Sequence, residues 1–354
     1  MADEDLDLVV HLGDYIYESG TKRNVRGVDL PSVFGREAYN LRRYRLRYTL
    51  YKSDRSLQRA HARFPWIHTM DNHEVENNWA RDWSQPDNGK DQVRAVFRRR
   101  RAAAFQAMYE NLPLRIAQLP KRSHIRLHRR LPYGNLADFT MLDTRQYRSN
   151  QPCEVHSSGT CKKRFDPDQT MLGGKQKRWL LNGFSASTAR WQLLGNQAPM
   201  AQWDEDPDPD RTEVYLDPWD GYVAERNQVL GASQDRQVRN LVVVTGDRHT
   251  HQALDLKRNH ADPESSTVGT ELIGTSISTD GDGAGLTREG RNGLATNPHL
   301  KFFNARRGYV RVNVTAAVLR ADFRVLPYVE RRGAPIKTAA GFVVEDGRPG
   351  TTLD

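Results

Sequence analysis

The sequence predicts a layered α/β fold whose business edge lies at strand C-termini, and three observations carry that prediction. Residues 6–10 form a β-type apolar run that leads into His11-Leu12-Gly13-Asp14-Tyr15-Ile16-Tyr17. Residues 241–244 form a second such run, leading into Gly246-Asp247-Arg248-His249-Thr250-His251. A short apolar run closed by Gly-Asp reads as a buried strand that delivers a carboxylate at its C-terminal end. In α/β sheets that edge is where ligands bind. The third observation is the alternation of strand-like and helix-like stretches, with no internal repeat, which favours a sheet layered with helices.

Taken in order, residues 6–13 read as a strand. Residues 36–52 carry Tyr39, Leu41, Tyr44, Leu46 and Leu50 at near-helical spacing, and residues 53–61 extend the helix after a break at Ser53-Asp54. Residues 66–70 suit a strand that ends at Asp71. Residues 90–112 give the clearest helix, with Val93, Val96, Phe97, Ala104, Phe105, Met108, Tyr109 and Leu112 near i, i+3, i+4. Pro113 closes it. The Arg98–Arg101 run falls inside this helix and reads as a solvated face. Residues 124–142 suggest two strands around Tyr133-Gly134-Asn135, and residues 148–170 a long polar loop. Residues 173–188 read as a helix and 191–194 as a strand. The run Asp204-Glu205-Asp206-Pro207-Asp208-Pro209-Asp210 lies in an irregular stretch, 202–222. A helix at 222–239 leads to a strand at 241–245, and residues 309–314 and 321–325 alternate like strands.

The 354 residues allow one large catalytic domain or two small ones. At 37% hydrophobic residues the chain is polar for its length, but the apolar residues cluster enough to form a core. The net charge of +9 comes from a surplus dominated by arginine. Such a surface raises the local concentration of anionic substrates, yet no cluster with interleaved aromatics suggests a dedicated nucleic-acid-binding module. No apolar run approaches the ~18 residues of a membrane span, and the acidic start, Met1-Ala2-Asp3-Glu4-Asp5, is no signal peptide. Cys153 and Cys161, in the polar loop, form an even pair that suggests a disulfide and an oxidising compartment.

Asp14 and Tyr17 lie three apart, so one turn can place both oxygens on one ion. Carboxylate plus phenolate suits a hard trivalent ion such as Fe3+. Asp71-Asn72-His73-Glu74 offers oxygen and imidazole donors after another strand, and on an extended strand His249 and His251 would face the same side. Each group is unremarkable alone. Together, Gly-Asp, then Asn-His-Glu, then Gly-Asp-x-His-x-His, each after a strand, point to a site for two metal ions. Asp280-Gly281-Asp282-Gly283 looks like half a calcium loop but lacks the closing acidic residue, and reads as a Gly-rich turn.

This order resembles the calcineurin-like metallophosphoesterase superfamily, and within it the PhoD-like (alkaline phosphatase D) family. The carrying segments are HLGDYIYE (11–18), DNHEVENNW (71–79), MLDTRQYRS (141–149), LLGNQAPMAQWD (193–204), VVVTGDRHTHQALDL (242–256), ELIGTSIST (271–279) and NPHLKFFNARRGYVRVNVT (297–315). The resemblance implies a four-layer αββα sandwich of two mixed sheets flanked by helices, in a single catalytic domain over residues 1–354. It implies hydrolysis of phosphate monoesters or diesters by a metal-activated water, with Fe3+ and Ca2+, in an extracellular or periplasmic enzyme expected to be a monomer. Carried over, Asp14 is the bridging carboxylate and Tyr17 the phenolate ligand. Asn72 stands at the metal-binding Asn of the wider superfamily, where this family usually has Asp. His73 is the acid or charge stabiliser at the leaving group. Asp247 and His249 match the Gly-Asp-x-His element. Arg145 is assigned to phosphate and Asn196 to calcium, with loop packing as the competing role of each. His251 departs from the family's small polar residue and reads as a supporting residue or an extra ligand.

The family's N-terminal β-sandwich domain and its Cys-bearing first metal element have no counterpart here, so the chain reads as an N-terminally shortened copy. The strand ending at Leu12 is then expected to lie inside a sheet with a neighbour missing. The competing functional reading is a catalytically impaired phosphate- or nucleic-acid-binding remnant.

Overall fold

In the computed structural model, residues 1–354 are described except 88, 155–156, 209 and 263. Parts of the two irregular loops read from the sequence, at 155–156 and 209, therefore lie outside the described residues. The chain divides into two compact units, Met1–His128 and Arg129–Asp354.

The N-terminal unit is built from β1 (Val9–His11), α1 (Leu41–Lys52), α2 (Arg55–Arg63), β2 (Trp66–His68) and α3 (Arg94–Asn111). The helical stripe begins later than its apolar pattern, at Asn40, whose side chain accepts from the Arg43 amide. The break at Ser53-Asp54 is real. Asp54 caps α2 by accepting from the Ser56 and Leu57 amides, satisfying donors that a new helix leaves open. Tyr44 and Tyr48 of α1 and Phe97, Phe105 and Met108 of α3 are buried in one apolar cluster with Trp79. The Arg98–Arg101 run is only half solvated. Arg100 and Arg101 are buried, because each guanidinium has acidic or carbonyl partners inside the unit. Arg100 binds Glu37, Glu76 and Asp91, and Arg101 binds Asp82 and the Ser123 carbonyl.

β1 and β2 pair in parallel, with Val9 opposite Trp66 and His11 opposite His68. Within this unit β1 pairs with β2 alone in a two-stranded ribbon, not with neighbours on both sides. The arrangement still places residues 12–15 and 69–72 beyond the same ends of two adjacent strands.

The C-terminal unit holds β3 (Arg129–Tyr133), β4 (Ala137–Met141), α4 (Gly173–Ala186), β5 (Trp191–Gly195), α5 (Val223–Asp235), β6 (Leu241–Thr245), β7 (His251–Lys257), β8 (Thr267–Ile273), α6 (Arg288–Thr296), β9 (Leu300–Asn304), β10 (Gly308–Val314), β11 (Val318–Val325), β12 (Lys337–Glu345) and β13 (Thr352–Leu353). The larger sheet has the order β3-β4-β5-β6-β8-β7-β9, and its central pairs β4–β5, β5–β6 and β6–β8 are parallel. The smaller sheet, β10-β11-β12-β13, is antiparallel. Alternation along each strand feeds two cores. Leu194, Leu241 and Val243 join Leu180 and Phe184 of α4 and Val229 and Leu230 of α5. Trp191, Leu193 and Val242 turn the other way, onto Leu319, Phe323 and Phe342 of the smaller sheet. The unit is therefore helix on sheet on sheet.

Three expectations change here. His249 has φ 53°, so the strand begins only at His251, and the two histidines do not share an extended face. β7, β8, β9, α6 and β12 have no counterpart in the sequence reading, because polar residues interrupt their apolar alternation, as in Thr267-Val268-Gly269-Thr270-Glu271 of β8. The polar loop has its own small core. Cys161 is bonded to Cys153 and packs with Val214 and Leu216. Among the described residues no helix is long and apolar enough to cross a membrane.

Phe323 is fully buried between the sheets, with ring centroids 4.9 Å from Phe302 and 5.9 Å from Phe342. Phe323→Ala should cost about 3–5 kcal/mol of stability. Denaturant unfolding followed by tryptophan fluorescence checks this, and a loss under about 1 kcal/mol would mean the two sheets do not share this core.

Candidate metal centre residues

In the N-terminal unit the loops leaving β1 and β2 are tied together by one carboxylate. Glu74 is buried and accepts three backbone amides, from Asp14 (3.0 Å), Tyr15 (2.6 Å) and Asp71 (2.8 Å). Burial pushes its pKa up, and the three amides pull back, leaving it at about 7. A second tie runs from the His73 amide to Asp14 Oδ1 at 3.0 Å. The approach of the loops needs Gly13. Its φ is +114°, and a Cβ there would sit 2.3 Å from the Asp71 nitrogen. Asp14 itself has φ 55°, a left-handed conformation that Asp tolerates better than most residues. Strained backbone of this kind clusters at functional sites.

Asn72 is buried. Its amide nitrogen donates to Asn77 Oδ1 (3.1 Å) and Asn78 Oδ1 (3.2 Å), while its Oδ1 has no hydrogen-bond partner among the described residues. With both N–H groups committed, the flip of the amide is settled and a buried oxygen donor is left over. That is the fit expected of a hard cation's ligand. His73 packs on Tyr17 at 4.2 Å between ring centroids, and its Nδ1 lies 2.7 Å from Glu18 Oε2. Burial would lower the His73 pKa, but Asp14, Glu18 and Asp71 outweigh it and raise it to about 9. Glu18 is itself fixed by the Asn77 amide on its other oxygen.

In the C-terminal unit the parallel strands β4, β5 and β6 end side by side, and their exits carry Asp143 to Arg145, Asn196 and Asp247. Asp143 Oδ1 accepts the Arg145 and Gln146 amides, a tight turn that aims Arg145 inward. Arg145 is fully buried, 2.7 Å from Asp217 and 3.4 Å from Asp247. Arg148 lies on the other oxygen of Asp217 at 2.7 Å. Burial alone would raise Asp217, but the two guanidiniums hold it well below the usual carboxylate range. Arg145 is thus paired with two carboxylates inside the unit, the packing role that competes with a phosphate contact. Asn196 is also buried. Its nitrogen donates to the Ala198 carbonyl and its oxygen accepts from Trp219 Nε1 at 3.2 Å, which is the packing role that competes with calcium ligation.

Asp247 and His249 have φ 65° and 53°, so two of the sequence-predicted ligands here share the left-handed strain of Asp14. His249 Nδ1 lies 2.7 Å from Asp280 Oδ2. His251 is no companion ligand. It is fully buried against Phe323, donates from Nε2 to the Arg324 carbonyl and accepts the Thr275 amide at Nδ1. Burial lowers its pKa to about 4, as for a core histidine. Among the described residues no three His, Cys, Asp or Glu side chains stand as a metal-holding group, so the oxygen donors of Asn72 and Tyr17 matter. Sequence reasoning missed Glu18, Asp217 and Asp280. Glu18 had a signal, as the last residue of the HLGDYIYE segment, and Asp280 opens the Asp-Gly-Asp-Gly stretch that reads only as a turn; Asp217 had none.

Gly13→Ala should place a methyl group against Asp71 as well as strain the backbone. The overpacking should cost roughly 1–3 kcal/mol beyond the roughly 1 kcal/mol expected for Gly27→Ala, where φ is +72° and no atom lies within 4 Å of an added Cβ. Denaturant unfolding of the pair decides it, and equal losses would mean the loops do not meet as closely as described.

A sequence model of the PhoD-like phosphatase family matches residues 1–323. The chain is 42% identical over 352 residues to alkaline phosphatase D of Bacillus subtilis (strain 168), an alignment covering 99% of this chain and 59% of that protein. A solved structure described as "Structure of PhoD" superimposes with a TM-score of 0.93 at 41% identity, covering 100% of this chain and 67% of that one. The layered α/β fold is thus shared with that structure, and the chain spans about three-fifths of the length of its curated relative. Matched across nearly all of its residues, the chain belongs to the PhoD-like phosphatase family.

Proposed function

We propose that this chain hydrolyses phosphate esters in a metal-dependent reaction. The observation that carries the reading is the pairing of strained Asp14 with the leftover oxygen of Asn72 on loops clamped by Glu74. Asp14, Tyr17 and Asn72 in one unit, and Asp247 and His249 in the other, are the residues proposed to hold metal, with Asn196 a weaker member because its amide is already engaged. Fe3+ and Ca2+ are the proposed ions, from the carboxylate, phenolate and amide oxygens of this set. When bound, they supply positive charge against the phosphoryl oxygens and make water a better nucleophile. His73 is held at Nδ1 by Glu18, so it is suited to place charge or a proton at the leaving oxygen. Arg145 is proposed to act through Asp247, which it holds. The basic surface would draw in phosphate.

A second reading, a phosphate-binding protein without turnover, has one observation in its favour. No three-membered group of His, Cys, Asp and Glu stands ready for metal among the described residues.

Metal content and turnover separate the two readings. The protein loaded with iron and calcium should retain both in elemental analysis. Iron on Tyr17 should give a phenolate charge-transfer colour that Tyr17→Phe abolishes. His73→Ala should keep the metal and lose roughly 10²–10⁴ in rate, while Asp14→Ala should lose metal and rate together. Metal at background levels, or equal metal loss in both variants, would overturn the assignment.

An extracellular or periplasmic location is proposed from the Cys153–Cys161 bond, since such bonds persist in oxidising compartments. Peptide mapping without reduction should find the two cysteines linked. Two free thiols in oxidatively folded protein would remove this support.

A further inference from the structure

The Gly-rich turn Asp280-Gly281-Asp282-Gly283 has no role in the proposal above, yet it is anchored on both flanks. Before it, Arg307 Nη1 donates to Ser276 Oγ (2.8 Å) and to the Thr279 carbonyl (2.6 Å). After it, Asp282 Oδ1 accepts the Glu330 amide at 2.8 Å and the Val329 amide at 2.5 Å. Gly283, at φ +66°, passes so close to the Ala305 carbonyl that a Cβ would lie 2.0 Å from it. Between these anchors Asp280 stands at φ 68° and reaches His249 Nδ1 at 2.7 Å. The backbone of His249 is held separately, its carbonyl accepting from Thr275 Oγ1 at 2.8 Å.

We propose that Asp280 is a positioning residue for His249, fixing its ring rotation and its tautomer. A carboxylate on Nδ1 keeps the proton there, so in the neutral ring Nε2 carries the lone pair. Carboxylates that brace imidazoles in this way set ligand orientation and basicity in metal sites. The turn's glycines and its anchors fix the backbone from which Asp280, with more than half its side-chain surface in water, reaches the ring. An exposed pair of this kind adds little stability, so its purpose is orientation. The consequence for metal rests on reading His249 as a ligand; the tautomer assignment does not.

The test uses 15N-histidine-labelled full-length protein stripped of metal, with His249→Gln to assign the signals. Wild type should show His249 with a protonated-type Nδ1 and a pyridine-type Nε2. Asp280→Gly, which suits the left-handed backbone, should move both signals toward the averaged values of a free imidazole, and Asp280→Asn should restore them in part. Unchanged His249 signals in Asp280→Gly overturn the proposal, and Asp280→Asn serves as the test variant if the glycine variant does not fold. With Fe3+ and Ca2+ as probes, Asp280→Gly should bind one of them 10- to 100-fold more weakly. His249→Ala is the control. If it binds both ions as wild type does, the ligand reading of His249 fails while the nitrogen signals still judge Asp280.

Discussion

A single buried carboxylate holds the candidate metal-binding loops of the N-terminal unit together. Glu74 takes amides from both loops that follow β1 and β2, and everything proposed to bind metal in that unit hangs from those loops. Removing a carboxylate from water costs several kcal/mol, and each amide bond to a charged group returns about 1.5–3 kcal/mol. Three such bonds return much of that cost, but burial still wins and leaves the carboxyl above its usual range. The clamp is thus no source of stability. What it supplies is geometry: with Glu74 in place, Asp14 and Asp71 cannot drift apart, and Gly13 must stay a glycine because the two backbones touch.

The C-terminal unit solves the same problem with a sheet and a guanidinium pair. Adjacent parallel strands deliver their exits to one edge without any side-chain help. The difficulty is then electrostatic, since Asp143, Asp217 and Asp247 stand near one another around these exits. Arg145 and Arg148 neutralise Asp217, and Arg145 extends to Asp247. Lysine would not replace Arg145 here, because a point charge cannot reach two carboxylates with separate nitrogens. In this structure Arg145 holds two acids in place, whatever else it touches.

What was legible in the sequence is short-range. Strand, Gly and Asp lie within a few residues of one another, so the exits at Asp14 and Asp247 could be placed from pattern alone, and apolar spacing marked the stretches of α1 and α3. The supporting contacts were hidden for the opposite reason. Glu74 meets Asp14 from 60 positions away and Asp217 meets Arg145 from 72. The Asn-His-Glu pattern marks Glu74 but not its partners, and no local pattern marks Asp217. The Arg98–Arg101 run misled because charge on a helix ordinarily faces water, whereas Arg100 is surrounded by three acids from distant segments. The His-x-His pair misled because spacing implies a shared face only on an extended backbone, and φ at His249 is positive.

That positive φ is part of a pattern. Asp14, Asp247 and His249 all adopt a conformation that costs L-residues about 1–2 kcal/mol apiece, and glycine at any of them would relieve it. Each side chain sets a specific contact against that strain: the His73 amide on Asp14, Arg145 on Asp247, Asp280 on His249. Those contacts orient oxygens and an imidazole rather than fill a core. Positive φ alone marks no site, since Arg81, Arg122 and Gln237 share it. What sets these three apart is a braced polar side chain beyond a strand end, whereas His251 is buried with both ring nitrogens engaged inside the unit.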